Sequence, residues 1–320
     1  METRRLGAAG PEVSVVGLGC NNFGMRLGER ETRDVVHAAL DAGITHFDTA
    51  EMYGRGQSES FLGKALGSRR SGVVIATKFT PRPNDEPYEP GLLRRRILQG
   101  CEASLRRLGT DHIDLYYQHR PDPEAPVAEA LQALSELIAA GKVVHVACSN
   151  FSAEQIDEAS RVSSEHGMAG FVACQSQWNL LARDIEAEIV PALRRLAMGI
   201  VPYRPLANGL LTGKYRQGEE FPVGSRLSMA PPPGRASPAA LASPESFAYI
   251  RELTEFAENR GHSLLEIAFA WLAAQEGVAS VIAGATTPDQ VAANVRAGTA
   301  WQLSPEDLGD IPQIPGRRES

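Results

Sequence analysis

A closed α/β barrel of eight parallel strands, the (β/α)8 or TIM-barrel architecture, is the fold that the sequence predicts. Three observations predict it. Eight short apolar runs recur along 320 residues, amphipathic segments separate them, and most successive runs lie one strand–helix–strand unit apart. A chain of this length ordinarily divides into two domains, and a barrel is the architecture that keeps it in one, so residues 1–320 are expected to form a single barrel domain.

The strand candidates are residues 13–19, 45–49, 73–78, 113–118, 143–149, 171–175, 200–203 and 279–283. They are short, rich in Val and Ile and near-continuously apolar, as strands buried on both faces should be. Between them, Val127, Ala130, Leu131, Leu134, Leu137 and Ile138 keep a helical period, with Gly141 as the stop. Residues 32–42 behave likewise ahead of Gly43. An open doubly wound sheet is the alternative, but its first turn carries Gly-x-Gly-x-x-Gly. Here Gly17-Leu18-Gly19-Cys20-Asn21-Asn22-Phe23 lacks the third glycine. Residues 4–12, with Gly7, Gly10 and Pro11, are expected to form an N-terminal β-hairpin that closes the bottom of the barrel. The last two strand ends, near Tyr203 and Ala283, are about 50 residues further apart than one unit needs. Within that gap, 218–244 is rich in Pro and Gly and includes Pro231-Pro232-Pro233-Gly234. It is expected to be a long loop after strand 7, folded as a flap over the C-terminal mouth.

A composition of 43% hydrophobic and 22% charged residues excludes a disordered or collagen-like chain. A net charge of −7 argues against a nucleic-acid partner, and Arg94-Arg95-Arg96 reads as a solvated helix face. No run approaches the ~20 apolar residues that span a bilayer, so no membrane association is expected. The first residues lack the apolar core of a secretory signal. Cys20, Cys101, Cys148 and Cys174 are scattered, which suggests neither a disulfide framework nor a zinc knuckle, and a reduced cytoplasmic setting is expected. Nothing in the sequence sets the oligomeric state.

Barrel catalytic groups sit at the C-terminal ends of strands. Three consecutive ends read His46-Phe47-Asp48-Thr49-Ala50-Glu51-Met52-Tyr53-Gly54, Ala76-Thr77-Lys78-Phe79 and Tyr116-Tyr117-Gln118-His119-Arg120-Pro121-Asp122. Taken singly, each polar residue has an ordinary structural use: a packed tyrosine, a solvated lysine, a hydrogen-bonded histidine, a plain Asp–Lys pair. Together they make a phenolic general acid. A free tyrosine titrates near pH ~10, and a neighbouring ammonium is expected to lower that value by stabilising the phenolate. Asp48 would hold Lys78 charged, and His119 would orient a carbonyl oxygen beside Tyr53. The chemistry served is protonation of an oxygen that gains negative charge, as in carbonyl reduction.

These motifs resemble the aldo-keto reductase superfamily, whose bacterial and potassium-channel β-subunit-like members share the pattern. The likeness runs in order from Val16-Gly17-Leu18-Gly19 to Ile282-Ala283-Gly284-Ala285 and Asn294. It implies Tyr53 as the general acid, Asp48, Lys78 and His119 as its partners, and NADP(H) as the cofactor, with NAD(H) the lesser alternative. It further implies that Ser149, Asn150 and Gln175 hold the nicotinamide carboxamide and that Tyr203 stacks on the ring. Arg204, Pro205, Leu206, Asn208 and Lys214 would line the pyrophosphate. Gly284, Thr286, Gln290 and Asn294 would take the adenosine end, and Arg226 its 2′-phosphate. Asn21 and Asp48 complete the cofactor-contacting set. The chain departs from the family at Cys148, read as a small buried hydrophobe, at Arg204, which replaces a serine, and at Ala293, which replaces a glutamate.

The function expected is reduction of a small carbonyl compound, an aldehyde or ketone, to an alcohol. Substrate choice would fall to Asn22-Phe23-Gly24-Met25, Tyr88, Arg120, Trp178 and 221–235. The alternative is a cofactor-binding regulatory subunit with little turnover. The chain opens directly on the hairpin segment, which favours the enzyme. A metal-dependent hydrolase would need His46, His119 and Asp122 to converge, whereas His46 is expected in the barrel wall, so no metal is expected.

Overall fold

The computed structural model describes residues 1–82, 86–229 and 237–312. The chain opens with an antiparallel hairpin, β1 (Thr3–Arg5) and β2 (Glu12–Ser14). Eight parallel strands follow: β3 (Val16–Gly19), β4 (His46–Asp48), β5 (Val74–Phe79), β6 (Ile113–Gln118), β7 (Val143–Ser149), β8 (Ala173–Gln177), β9 (Gly199–Tyr203) and β10 (Val281–Gly284). They lie in the order β10-β3-β4-β5-β6-β7-β8-β9. The ring closes where Ile200 of β9 bridges Val278, just before β10, and its N–H reaches the Gly277 carbonyl at 2.9 Å.

Helices α1 (Glu29–Asp41), α2 (Gln57–Leu66), α3 (Leu92–Leu108), α4 (Val127–Ala139), α5 (Ala153–His166) and α6 (Ile189–Arg195) form the wall after successive strands. Then come α7 (Pro244–Glu258), α8 (Leu264–Ala273), α9 (Pro288–Ala300) and α10 (Pro305–Asp310). Strand alternation separates two cores. Val16, Leu18, Phe47, Ile75, Val146 and Ile200 face the helices, while Ala76, Leu115, Tyr117, Ala147, Ala173, Val201 and Ile282 fill the lumen.

The expected hairpin does close the bottom, with Leu6 and Val13 packing into the lumen core. Gly7 makes this approach possible: its φ is +65°, and a Cβ there would lie 2.6 Å from the Gly199 nitrogen and the Val172 oxygen. The predicted first strand, 13–19, is two pieces. Ser14 ends β2, exchanging 2.9–3.0 Å hydrogen bonds with Thr45 and donating to the Val16 carbonyl at 2.7 Å, and β3 starts afresh at Val16. Both pieces are buried, so the apolar run carried no mark of the bend.

The wide gap before β10 also holds α7 and α8, which follow the expected loop at 218–244. The described part of the flap, up to residue 229, does reach the mouth: Arg26 donates to the Gly224 carbonyl, and Arg226 to Asn21 and Asn22. Pro231-Pro232-Pro233-Gly234 lie outside the described residues. Among the described residues, no helix is long and apolar enough to cross a membrane.

His46 shares the inward face of β4 with Asp48 and is wholly buried, with Nδ1 3.0 Å from the Ser280 hydroxyl. Burial pulls its pKa down to about 4, with the Asp48 carboxylate opposing. An unfolded chain binds a proton at this histidine near pH 6.5, which the native barrel refuses until about 4. The stability tied to neutral His46 is therefore complete above pH 6.5 and lost as pH falls toward 4. Denaturant unfolding between pH 7 and 4 is expected to show wild type losing on the order of 3 kcal/mol more than His46→Gln.

Candidate active site

Asp48 and Lys78 come together because β4 and β5 are parallel neighbours. Asp48 is in register with Ala76, so Lys78 stands two residues further along the same inward face and its stem bends back. The ammonium lies 2.6 Å from Asp48 Oδ1, 2.7 Å from the Thr49 carbonyl and 5.1 Å from the centre of the Tyr53 ring. The other Asp48 oxygen accepts from Gln175 Nε2 at 2.8 Å. The pair is almost dry, with side-chain exposures of 0% for Lys78 and 6% for Asp48.

Burial pulls the Lys78 pKa down, but Asp48 and Tyr53 outweigh it, so the net shift is upward and the ammonium stays charged. Tyr53 behaves otherwise than its sequence suggests. Burial pushes the phenol up, and the Lys78 ammonium offsets only part of that rise, so its pKa lies above 10 rather than below. A sequence identifies the neighbouring cation but not the depth at which the phenol sits.

His119, just beyond β6, packs its ring edge-on to Tyr53 at 5.9 Å. Its carbonyl accepts from Asn150 Nδ2 at 2.9 Å, and Asn150 Oδ1 accepts from the Tyr203 hydroxyl at 2.8 Å. Asn150 also donates to Ser149 Oγ at 3.0 Å. The structure thus gathers Asp48, Tyr53, Lys78, His119, Ser149, Asn150, Gln175 and Tyr203 at one mouth.

The loop after β9 continues this surface. Arg204, Ala207 and Asn208 have φ of +53°, +45° and +58°, and Gly209 has +95°. With Arg55 and Asn150, five of the six non-glycine residues of positive φ lie at this end of the barrel. Such backbone costs about 1–3 kcal/mol per residue and survives only where surroundings enforce it. One such restraint is Asn179 Nδ2, 2.9 Å from the Arg204 carbonyl. Pro205 is buried, Leu206 half-buried, and Lys214 folds back so that a Cβ on Gly209 would meet its ammonium at 2.8 Å.

Arg226 donates to Asn22 Oδ1 at 2.9 Å and Asn21 Oδ1 at 3.2 Å. Burial lowers its pKa, and repulsion from Arg26 and Arg204 lowers it further. The recorded contacts of Arg26, Arg204, Lys214 and Arg226 are with neutral oxygens or aromatic rings. Gly284 faces the same loop, since a Cβ on it would lie 3.4–3.5 Å from Asn22 and Asn21. Beyond it the Thr286 N–H and hydroxyl bond Gln290 Oε1 at 2.8 and 3.1 Å, and Asn294 is buried.

Several residues expected at the substrate mouth are engaged elsewhere. Trp178 is a core residue, 1% exposed, edge-on to Trp271 and bonded to Glu186 at 2.9 Å. Phe23 is fully buried, the Tyr88 hydroxyl bonds Glu129 at 2.6 Å, and Arg120 donates to the Arg82 carbonyl at 2.5 Å. Met25 does face solvent, as does Met52, which the sequence reading passed over. Asp122 is paired with Arg82 at 2.9 Å, and His46 lies inside the lumen rather than in the wall. Among the described residues no cluster of three His, Cys, Asp or Glu is placed to hold a metal. The sequence reading also missed Ser58 and Glu59 behind the site. Their position in the first turn of a helix just after Tyr53 was the available signal.

A profile of the Aldo/keto reductase family matches residues 15–315. The chain is 35% identical over 333 residues to a probable voltage-gated potassium channel subunit beta of Oryza sativa subsp. japonica, covering 100% of this chain and 99% of the relative. A putative subunit of the same kind from Schizosaccharomyces pombe is 36% identical, covering 97% and 92%. An L-glyceraldehyde 3-phosphate reductase of Escherichia coli O157:H7 is 32% identical, covering 98% and 92%.

Removing one partner of a dry ion pair strands the other. Lys78→Met is therefore expected to destabilise the fold by about 3–5 kcal/mol at pH 7. Urea unfolding measures this, and a loss below about 1 kcal/mol would mean that the pair is not dry in solution.

Proposed function

The chain belongs to the aldo/keto reductase family, and on that premise we propose that it is an NADP(H)-dependent oxidoreductase that reduces an aldehyde or ketone to an alcohol. Family membership supports oxidoreductase activity in general. The observation that carries the finer reading is the Tyr53 ring, 5.1 Å from an ammonium that Asp48 and Thr49 hold in place.

Tyr53 gives its hydroxyl proton to the substrate carbonyl oxygen. Its raised pKa keeps that proton in place at neutral pH. Lys78 acts at the moment of transfer, because the phenolate left behind lies against a fixed cation in a site of low dielectric. Asp48 keeps Lys78 charged and aimed. His119, edge-on to Tyr53, orients the carbonyl oxygen. When bound, the reduced nicotinamide supplies the hydride to the carbonyl carbon.

The donor set fits such a cofactor. Ser149, Asn150 and Gln175 offer hydroxyl and amide groups to the carboxamide, and Tyr203 offers an aromatic face. The run of left-handed residues at Ala207, Asn208 and Gly209 is backbone of the kind that turns N–H groups toward an anion. Arg204, Pro205, Leu206 and Lys214 line that stretch. Four cations on neutral partners call for a polyanion. Arg226, with Asn21, would take the 2′-phosphate that distinguishes NADP from NAD. Gly284, Thr286, Gln290 and Asn294 would seat the adenosine. The substrate is a small carbonyl compound, and the four buried thiols suit a reduced, cytoplasmic setting.

A second reading is a cofactor-binding regulatory subunit with little turnover, favoured by the potassium-channel names of the plant and yeast relatives. Turnover separates the two. Mixed with NADPH and a panel of small aldehydes and ketones, the enzyme consumes reduced nicotinamide absorbance, whereas the regulatory subunit binds NADPH without consuming it.

Tyr53→Phe is expected to lower turnover by about 10²-fold or more while NADPH binding persists, and full activity in that variant would contradict the proton-donor role. Arg226→Ala is expected to weaken NADPH binding roughly tenfold and leave NADH nearly unchanged, as loss of a charge-assisted contact requires. Turnover in the reducing direction is expected to stay level with pH through neutrality, falling only as pH passes the Tyr53 value above 10. A decline centred near 7 would point to another proton donor.

A further inference from the structure

We infer that the first turn of α2 is a positioning device, in which Ser58 and Glu59 staple the ends of β3, β4 and β5 together and so fix Tyr53 against Lys78. The inference rests on the proton-donor reading of Tyr53 and concerns residues that touch none of the reacting atoms.

Ser58 and Glu59 are both fully buried. The Ser58 hydroxyl lies 2.7 Å from Thr49 Oγ1 and donates to the Cys20 carbonyl at 2.8 Å. Thr49 is the residue whose own carbonyl holds the Lys78 ammonium, and Cys20 directly follows β3. One oxygen of Glu59 accepts from Thr77 Oγ1 at 2.6 Å, and the other from Arg107 Nε at 2.6 Å. Thr77 precedes Lys78 on β5. Two consecutive residues of one helix therefore grip the chain neighbours of both Asp48 and Lys78.

Tyr53 is held from the same turn. Only Gly54, Arg55 and Gly56 separate it from α2, and all three have positive φ. Such a loop has little freedom once both ends are fixed. Arg107 presses on it from α3, since a Cβ at Gly56 would lie 2.8 Å from Arg107 Cδ. The far side is closed too, because a Cβ at Gly54 would lie 2.8 Å from the Phe23 carbonyl.

The energetic logic is that of specificity. A wholly buried carboxylate is costly, and an apolar side chain of similar shape could fill the space. Glu59 is retained at acceptable cost by Arg107, by Thr77 and by its place in the first turn of a helix. Unlike an apolar filler, its two oxygens fix direction. Misplacing a reacting group by about 1 Å can cost 10²-fold in rate, so a directional clamp behind Tyr53 has a use that bulk packing lacks.

The test uses Glu59→Gln, which keeps the size and an acceptor for Thr77 but loses the charge facing Arg107, together with Ser58→Ala. Steady-state kinetics, NADPH affinity and the solvent deuterium isotope effect on kcat are measured on each. Peptide-level hydrogen exchange is measured on the free proteins. For each variant we expect kcat to fall roughly tenfold to a hundredfold with KM and NADPH affinity nearly unchanged, and a larger solvent isotope effect, because proton transfer has become slower. We expect exchange to quicken over 49–57 and not over the barrel strands. Unchanged kcat with unchanged exchange at 49–57 would overturn the inference. So would a loss of kcat that follows falling Tm and faster exchange everywhere, since that describes general destabilisation. If wild type lacks turnover, the proposed reaction fails by itself, and exchange confined to 49–57 still decides whether the clamp exists.

Discussion

A lysine ammonium and an aspartate carboxylate, 2.6 Å apart and sealed from water, set the terms for everything around them. Two charges in a dry lumen are tolerable only if each remaining donor and acceptor is satisfied and neither can move. That requirement explains the neighbours: Gln175 on the free aspartate oxygen and the Thr49 carbonyl on the ammonium, with the Tyr53 ring beside it. The barrel supplies rigidity, because Asp48 and Lys78 stand on adjacent parallel strands in fixed register. The proposed proton donor, Tyr53, is thus placed where its conjugate base would have a cation beside it.

The mouth divides into two electrical halves. Around Tyr53 the charges are balanced, and a contact chain runs from Tyr53 to Tyr203 through the ring and backbone carbonyl of His119 and the Asn150 side chain. Around Arg26, Arg204, Lys214 and Arg226 no acidic partner is found among the described residues, and Arg204, Ala207, Asn208 and Gly209 are held in left-handed conformations. Cations on neutral partners beside strained backbone are the feature that supports the anionic cofactor proposed above. The flap joins this half by bonding to the loop after β3, so Arg226, proposed to contact the cofactor, also ties down the flap.

The parallel strands were legible because most are near-continuously apolar, and the four residues proposed to be catalytic because they fall at three consecutive strand ends. Boundaries were less so. The bend at Ser14 is made by side-chain hydrogen bonds within a largely apolar run, and α7 and α8, beyond the expected loop at 218–244, were not picked out. Trp178 looked like a pocket wall because strand-end position was the only guide, and the indole in fact turns into the core against Trp271. The direction of the Tyr53 shift was lost for a related reason. Sequence lists the charges around a group but not its depth, and here depth outweighs the neighbouring cation.

The central claim is that Lys78 works by stabilising the phenolate form of Tyr53. The most direct test is titration of Tyr53 alone, by NMR of ring-labelled tyrosine assigned against Tyr53→Phe, in wild type and in Lys78→Met. With the cation gone and burial retained, the Tyr53 pKa is predicted to climb further above its wild-type value. A pKa that stays put or falls in Lys78→Met would contradict the account.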